Sequence, residues 1–371
     1  MRRRLRSPPQ DFKPPRCPYP GCRRFKQPEI ASEERPKRQF WHRHGTYQTR
    51  CRGKVPRFRC SSCTRTFSYQ TFRHDYRDKK PHLNAEVFDR LVASGGLRET
   101  AFRVHLTRNN LEQKHRKIAR TLGPLHQNMM RDFPKEARFL LDEMESFEDN
   151  RRTRPVTIPV LVERTSYFVV GTDCAPIRPR GRMTPDRRRA IARDELRFGK
   201  RRDRSIPCLR RVLGRLVPHV RHHEQVWLGT DQKVVYRPLA RQAFGARRLI
   251  HETTSSKAPR TTWNPLFLVN LTEAISRDYN GRLRRRTWLC SKQERYLKEQ
   301  LHLLVTFRNY IRPRTRKPRE RRVTPATKLG FARRRLGFAD CLSWRQDWGN
   351  LSIRPDQPGT VCFADSLRRP R

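Results

Sequence analysis

Near the start of this chain, four cysteines stand in two close pairs. Cys17 and Cys22 frame CPYPGC, and Cys60 and Cys63 frame CSSC within RFRCSSCTRTFS. Two thiol pairs on tight turns can place four thiolates tetrahedrally, at about 2.3 Å, around one zinc ion. Cys51, His42 and His44 lie between the pairs and are substitute ligands if Cys17 or Cys22 takes no part. The opening MRRRLRSPPQ has no apolar signal segment, so no oxidising compartment is expected and disulfides are the lesser use of these thiols. Further along, Asp142 lies in the apolar run ARFLLDEMESFE, and Asp231 ends the run EQVWLGTDQK. Carboxylates brought together from two strands suit Mg²⁺ or Mn²⁺, the hard cations that assist in-line phosphoryl displacement.

The chain has 371 residues, with 86 Lys and Arg against 35 Asp and Glu, a formal charge of +51. Such a charge opposes compaction unless a polyanion neutralises it, and phosphate backbone is the natural partner. Arginine's planar fork suits bidentate phosphate contact. No run of 18 apolar residues is present, which argues against a membrane span or membrane partner. The hydrophobic share is 35%, enough for packed cores.

These residues need elements to hold them. Residues 1–16 read as a basic, disordered tail, and 17–80 as a zinc-ribbon module. In that module KVPRFRC forms a short strand, and KQPEIASEERPKRQ an inserted loop. Residues 82–130 read as three helices. HLNAEVFDRLVAS is the first, LRETAFRVHL the second, and Thr107 caps a third that ends at Gly123. A tight turn before the third is helix-turn-helix geometry, and that helix would expose Arg108, Asn109, Gln113, Lys114, Arg116 and Lys117 to DNA. Their alternative is a solvated basic face on an ordinary bundle. Residues 137–174 give three strands, the last two an antiparallel hairpin. A basic insertion at 178–204 follows, with Arg187, Arg188 and Arg189 as backbone contacts. Then come the helix SIPCLRRVLGRLVPHV, the strand ending at Asp231, a fifth strand in ARRLIHETTS, and helices in NLTEAISRDYNGRL and QERYLKEQLHLLVTFRNYI. Residues 312–371 form a basic C-terminal extension, of which KLGFARRRLGFADCLSW docks on the core.

Three strands, a helix, a fourth strand, a fifth and a late helix is the order of a ribonuclease-H-like mixed sheet. The expected class is therefore multi-domain α+β: zinc ribbon, three-helix helix-turn-helix, then an α/β ribonuclease-H-like catalytic domain over 137–311. In that order the first strand carries one Asp at mid-length and the fourth ends in a second. Asp142 and Asp231 take these places. A solvated acidic face around Asp142 and a plain turn at Asp231 are the competing accounts.

From Cys17 to about Trp348 the chain resembles DDE-type transposases of bacterial insertion sequences. The pieces that carry the likeness are RFRCSSCTRTFSYQTF, LLDEMESFE, GTDQKVVY, NPLFLVN, GRLRRRTWLCSK and FRNYIRPR. The resemblance implies binding of double-stranded DNA, both transposon ends and target, with metal-dependent nicking and strand transfer. It also implies a homodimer or larger assembly on DNA in the cytoplasm of a prokaryote, at the nucleoid. Asp142 and Asp231 match the first two catalytic positions and would hold Mg²⁺ or Mn²⁺. The third departs from the family pattern, which has a Glu followed at seven by Lys or Arg. Glu273 is the favoured residue but is followed at seven by Asn280. Asn270 is followed by Arg277, and Asp278 by Arg285, so both stay as alternatives. Two other functions remain open: a DNA-binding protein of transposase descent that no longer cuts, and a zinc-containing basic nucleic-acid-binding protein.

Overall fold

Around the cysteines, aromatic side chains build a small core of their own. The structure, a computed structural model, describes residues 12–14, 16–19, 21–26, 39–50, 52–73, 75–259 and 261–343. Cys51, most of the tail and of the KQPEIASEERPKRQ segment, and residues 344–371 lie outside them. One helical turn, α1 (Arg23–Lys26), is followed by β1 (Trp41–Thr49), β2 (Gly53–Cys60) and β3 (Thr66–Ser68) in an antiparallel sheet of order β1-β2-β3. The expected KVPRFRC strand is the middle one. β1 escaped notice because HRHGTYQT is polar and largely exposed. Phe12, Phe40, Phe58, Phe67, Tyr69 and Phe72 pack with the cysteines behind this sheet.

Three helices follow: α2 (Asn84–Val92), α3 (Leu97–Arg103) and α4 (Arg108–Met129). The Thr107 hydroxyl accepts from the Asn110 N–H at 3.3 Å and caps α4. Contrary to expectation, α4 does not stop at Gly123 but runs on through Pro124 to Met129. Gly123 serves a different purpose, close approach to the helix that carries His302. A Cβ at Gly123 would sit 3.0 Å from the His302 ring.

The remaining chain forms β4 (Arg138–Phe147), β5 (Pro155–Glu163), β6 (Val169–Thr172), β7 (Ala175–Pro176), α5 (Pro185–Phe198), α6 (Ser205–Leu216), β8 (Val226–Asp231), α7 (Tyr236–Phe244), β9 (Leu249–Thr254), α8 (Phe267–Tyr279), α9 (Glu294–Thr306), α10 (Pro325–Lys328) and α11 (Phe338–Ser343). The sheet has order β6-β5-β4-β8-β9, with β7 also on β5. β4, β5 and β6 are antiparallel, whereas β4, β8 and β9 run parallel. β5 reads PVTIPVLVE and is buried along almost its whole length, as suits a β-branched run covered on both faces.

One face of the sheet shares a core with Val87, Phe88, Leu111 and Ile118, joined to Phe139, Leu161 and Val212. Residues 82–130, read from sequence as a module, therefore contribute to the same core as the sheet. The His115 ring lies 3.0 Å from Gln300 Oε1, and Arg116 donates to the Tyr296 hydroxyl at 2.8 Å, fastening α4 to α9. Ala326, Phe331, Leu336 and Leu342 bury in that core too, so the described part of the C-terminal extension is docked. The other face packs Leu140, Met144, Val156 and Ile158 against Val269, Leu301 and Leu304. α5 buries no residue. No described helix is long and apolar enough to cross a membrane.

Candidate functional site

The four cysteines meet. Their sulfurs all lie within 4.8 Å of one another, with Cys17 and Cys63 3.6 Å apart and Cys22 and Cys60 3.8 Å apart. Cys17, Cys22 and Cys60 are buried and Cys63 is half-buried. Burial pushes the Cys17 and Cys22 thiols up. Burial opposes ionisation of Cys60 as well, but the N–H groups of Cys63 and Ser62 outweigh it and bring the thiol down. Four sulfurs on two knuckles form a closed donor set that could hold one metal ion such as zinc. His42 and His44 sit exposed on β1 and outside the cluster, so neither is needed as a substitute.

The carboxylates occupy the opposite kind of place. β4 and β8 pair in parallel with Leu140 beside Gly229 and Leu141 beside Thr230. One further step sets Asp142 beside Asp231, about 4.8 Å away by strand spacing. Both aspartates face α8. A Cβ on Gly229 would meet Leu140 at 2.8 Å, and Leu140 belongs to the core under α8. Asp142 Oδ1 accepts from the Glu143 N–H at 2.7 Å, and Asp231 Oδ1 from the Lys233 N–H at 2.9 Å. From α8, Glu273 is buried and Asn270 half-buried, and both line the same cleft as the two aspartates. Arg277, one turn on, donates to Glu273 at 3.3 Å. The Asn270 amide donates to the Leu266 carbonyl at 3.0 Å. Asp278 is exposed, lies outside this cleft, and its carbonyl accepts from the Ser94 hydroxyl. The alternatives for the third position thus separate: Glu273 and Asn270 are at the cleft and Asp278 is not.

The cleft measures about 1080 Å³. Arg151, Arg152, Arg178, Arg180, Arg182, Arg277 and Arg285 contribute to its walls. An acidic floor under an arginine wall can hold a phosphate backbone above bound cations. No family model matches the sequence, and no curated protein matches it either.

At the same strand ends, Glu143 also reaches the cleft lining, and it accepts from the Lys233 ammonium at 2.7 Å and from the Thr157 hydroxyl at 2.7 Å. Burial pushes the Tyr236 hydroxyl up, and the nearby Glu143, Asp142 and Asp231 add to the effect. Glu143 and Lys233 thus cross-tie the two strand ends that carry the aspartates. Sequence reasoning counted Glu143 only in the competing solvated acidic face and passed over Lys233. The signal available was their position, one residue after Asp142 and two after Asp231.

The proposed DNA-reading residues fare unevenly. Arg108, Asn109 and Gln113 are exposed on α4. Arg116 and Lys117 are half-buried, Arg116 held by Tyr296 and Lys117 donating to the Tyr76 carbonyl at 2.8 Å. Lys114 is a correction, because it is buried. Its ammonium bonds Asp78 at 2.6 Å, Asn84 at 2.8 Å and the Lys80 carbonyl at 2.8 Å, leaving no proton for DNA. On α5, Arg187 donates to the carbonyls of Arg152, Arg180 and Arg182, Arg189 pairs with Asp186, and Arg188 is exposed.

Proposed function

We propose that this chain is a DDE-type DNA transposase, which binds transposon ends and catalyses nicking and strand transfer. The observation that carries this is the β4–β8 register, which sets Asp142 beside Asp231 on the face that α8 covers with Glu273. The sheet order supports a ribonuclease-H-like core: an antiparallel trio β4, β5, β6, with β8 and β9 added in parallel on the other side of β4. The cysteine cluster supports a zinc ribbon, and the capped α4 behind a short turn supports a helix-turn-helix.

Asp142, Asp231 and Glu273 offer hard oxygen donors in one cleft and fit Mg²⁺ or Mn²⁺, with Asn270 as a further oxygen. Two such ions, held by Asp142, Asp231 and Glu273, would supply activation of a water or 3′-hydroxyl and stabilisation of the leaving oxygen. The protein's own side chains do the positioning. Backbone N–H groups of Glu143 and Lys233 aim the two aspartates, and the arginine wall holds the sugar-phosphate strand across them.

One observation favours a second reading, a DNA-binding protein of the same descent that does not cut: Glu273 is engaged by Arg277. The deciding experiment uses the full chain and duplexes copied from both ends of its encoding DNA element. Nicking with Mn²⁺ or Mg²⁺ is the expected result. Tight binding without nicking in either metal would replace the transposase with the non-cutting protein.

A further inference from the structure

Away from both sites, a small cavity lies between β5, β6, α8 and α9, and its volume is about 20 Å³. Its lining is largely apolar, and its polar side chains are Thr172, Thr272, Ser276, Tyr279, Arg308 and Arg312. Arg308 is only 3% exposed. Among the described residues its Nε and Nη1 have no hydrogen-bond partner, and the same holds for Arg312 Nη1 and Thr172 Oγ1. Neither arginine forms an ion pair among the described residues. The neighbouring cation Arg314 is already committed to Glu320. Tyrosine faces are the nearest compensation, Tyr279 at 4.1 Å from Arg312 and Tyr167 at 6.0 Å from Arg308. Burial and the adjoining Arg312 hold the Arg308 guanidinium down to about 10.

A buried cation left this way is costly, and neutralisation by deprotonation is not open to arginine at neutral pH. Counter-charge is the remaining remedy. The orphan atoms are three guanidinium nitrogens, which only donate, and one hydroxyl, which donates or accepts. A water could place its protons on the hydroxyl oxygens of this wall, but it carries no charge and leaves both guanidinium groups uncompensated. An anion accepts from every donor. The volume suits a body of about one water's size and is too small for phosphate or sulfate.

We propose that Arg308, Arg312 and Thr172 form a binding site for a monatomic anion, of which chloride is the type. The anion would neutralise the turn after α9 and so brace α9 against the sheet. This site stands apart from the acidic cleft, and its fate does not depend on the transposase proposal.

The test measures thermal unfolding of the full chain in sodium chloride, bromide and gluconate at equal ionic strength. The expected result is a midpoint about 2–4 °C higher in the two halides. That difference should vanish in Arg308→Met and in Arg312→Met, and persist in Arg188→Met, which removes an exposed charge on α5. Equal midpoints in all three salts would overturn the site, as would a halide effect that survives in both cavity variants. Should Arg308→Met not fold, the half-buried Arg312→Met carries the comparison. Bromide-soaked crystals give a second readout: anomalous density against both guanidinium groups is expected, and density for water alone overturns the site.

Discussion

The two acidic or thiol sites of this molecule are built on opposite plans. The cysteine cluster is closed. Four sulfurs from two short knuckles lie within 4.8 Å of one another, three of them buried, beneath aromatic side chains. The carboxylate cleft is open. Among the described residues no third carboxylate closes to that distance on the Asp142–Asp231 pair, and about 1080 Å³ of space lies above them. Under the proposed function, that difference would separate a metal that holds a fold from metals that meet a substrate. Thiolates that fill every coordination position leave nothing for chemistry. Carboxylates set on two strand ends and a facing helix leave room for water, phosphate and a leaving group.

Metal removal should divide the two regions most sharply. The aromatic core near the cysteines is small, so a zinc ion there would supply much of the folding free energy, on the order of 10 kcal/mol. The full chain is expected to carry about one zinc, lost in Cys60→Ser. Chelation should then raise hydrogen exchange throughout β1, β2 and β3 and leave β4, β5 and β8 protected. Uniform protection after chelation would mean that the cluster needs no metal.

The next effect belongs to the open site. Asp142→Asn and Asp231→Asn should each lower Mn²⁺-dependent nicking by about 10³-fold or more, with unfolding midpoints and DNA affinity close to those of the parent. Glu273→Gln assigns the helix residue. Loss of cleavage with binding retained places Glu273 among the ligands, whereas full activity shifts the role to Asn270. A parallel fall in stability for the aspartate variants would make them structural and close the contrast drawn above.

The cysteine module is also tied to α4, and Lys114 is one of the ties. Its ammonium spends its protons on Asp78, Asn84 and the Lys80 carbonyl, between the end of the cysteine module and α4. Lys114→Met leaves the Asp78 carboxylate buried without its cation, which should cost about 3–5 kcal/mol. Burial by itself would raise the Asp78 carboxyl, but the Lys114 ammonium overrides it and holds the group below its ordinary value. The stabilisation is therefore complete above the ordinary carboxylate range and is lost as pH falls below it. An unchanged midpoint with weakened DNA binding would return Lys114 to the DNA-facing surface.

Lys114 also marks where sequence stops being informative. Helix existence, the Thr107 cap and the strands around Asp142 and Asp231 were legible, because apolar periodicity and capping chemistry are local. The cysteine pairs were legible because their spacing is local within each knuckle. Which face of α4 meets solvent was not, since that depends on Asp78 arriving from another segment. Gly123 reads as a stop signal and is in fact a contact point, because His302 approaches from a helix far along the chain. The pairing of Glu143 with Lys233 was missed for the same reason: it needs β4 and β8 side by side. Helical spacing already favoured Glu273 over Asp278, and the seating of α8 on the sheet puts Glu273 at the cleft and Asp278 outside it.

The smallest expected effect concerns the arginines and divides the cleft wall from the outer face of α5. Each phosphate contact adds about 0.9 to the slope of binding against salt. Arg151, Arg152 and Arg182 are exposed and line the cleft, so replacing all three with Gln should flatten that slope by up to about three units. Arg188 and Arg189 project from α5 away from the cleft lining, and Arg189 is paired with Asp186. Their replacement should change the slope by less than one unit. Arg187 behaves differently from either group. It donates to three backbone carbonyls, so Arg187→Gln should loosen the 178–184 segment and slow cleavage by misplacing the wall, while the salt slope stays nearly constant. If the α5 pair instead dominated the salt dependence, DNA would cross the outer face of that helix, and the cleft would lose its claim to the strand.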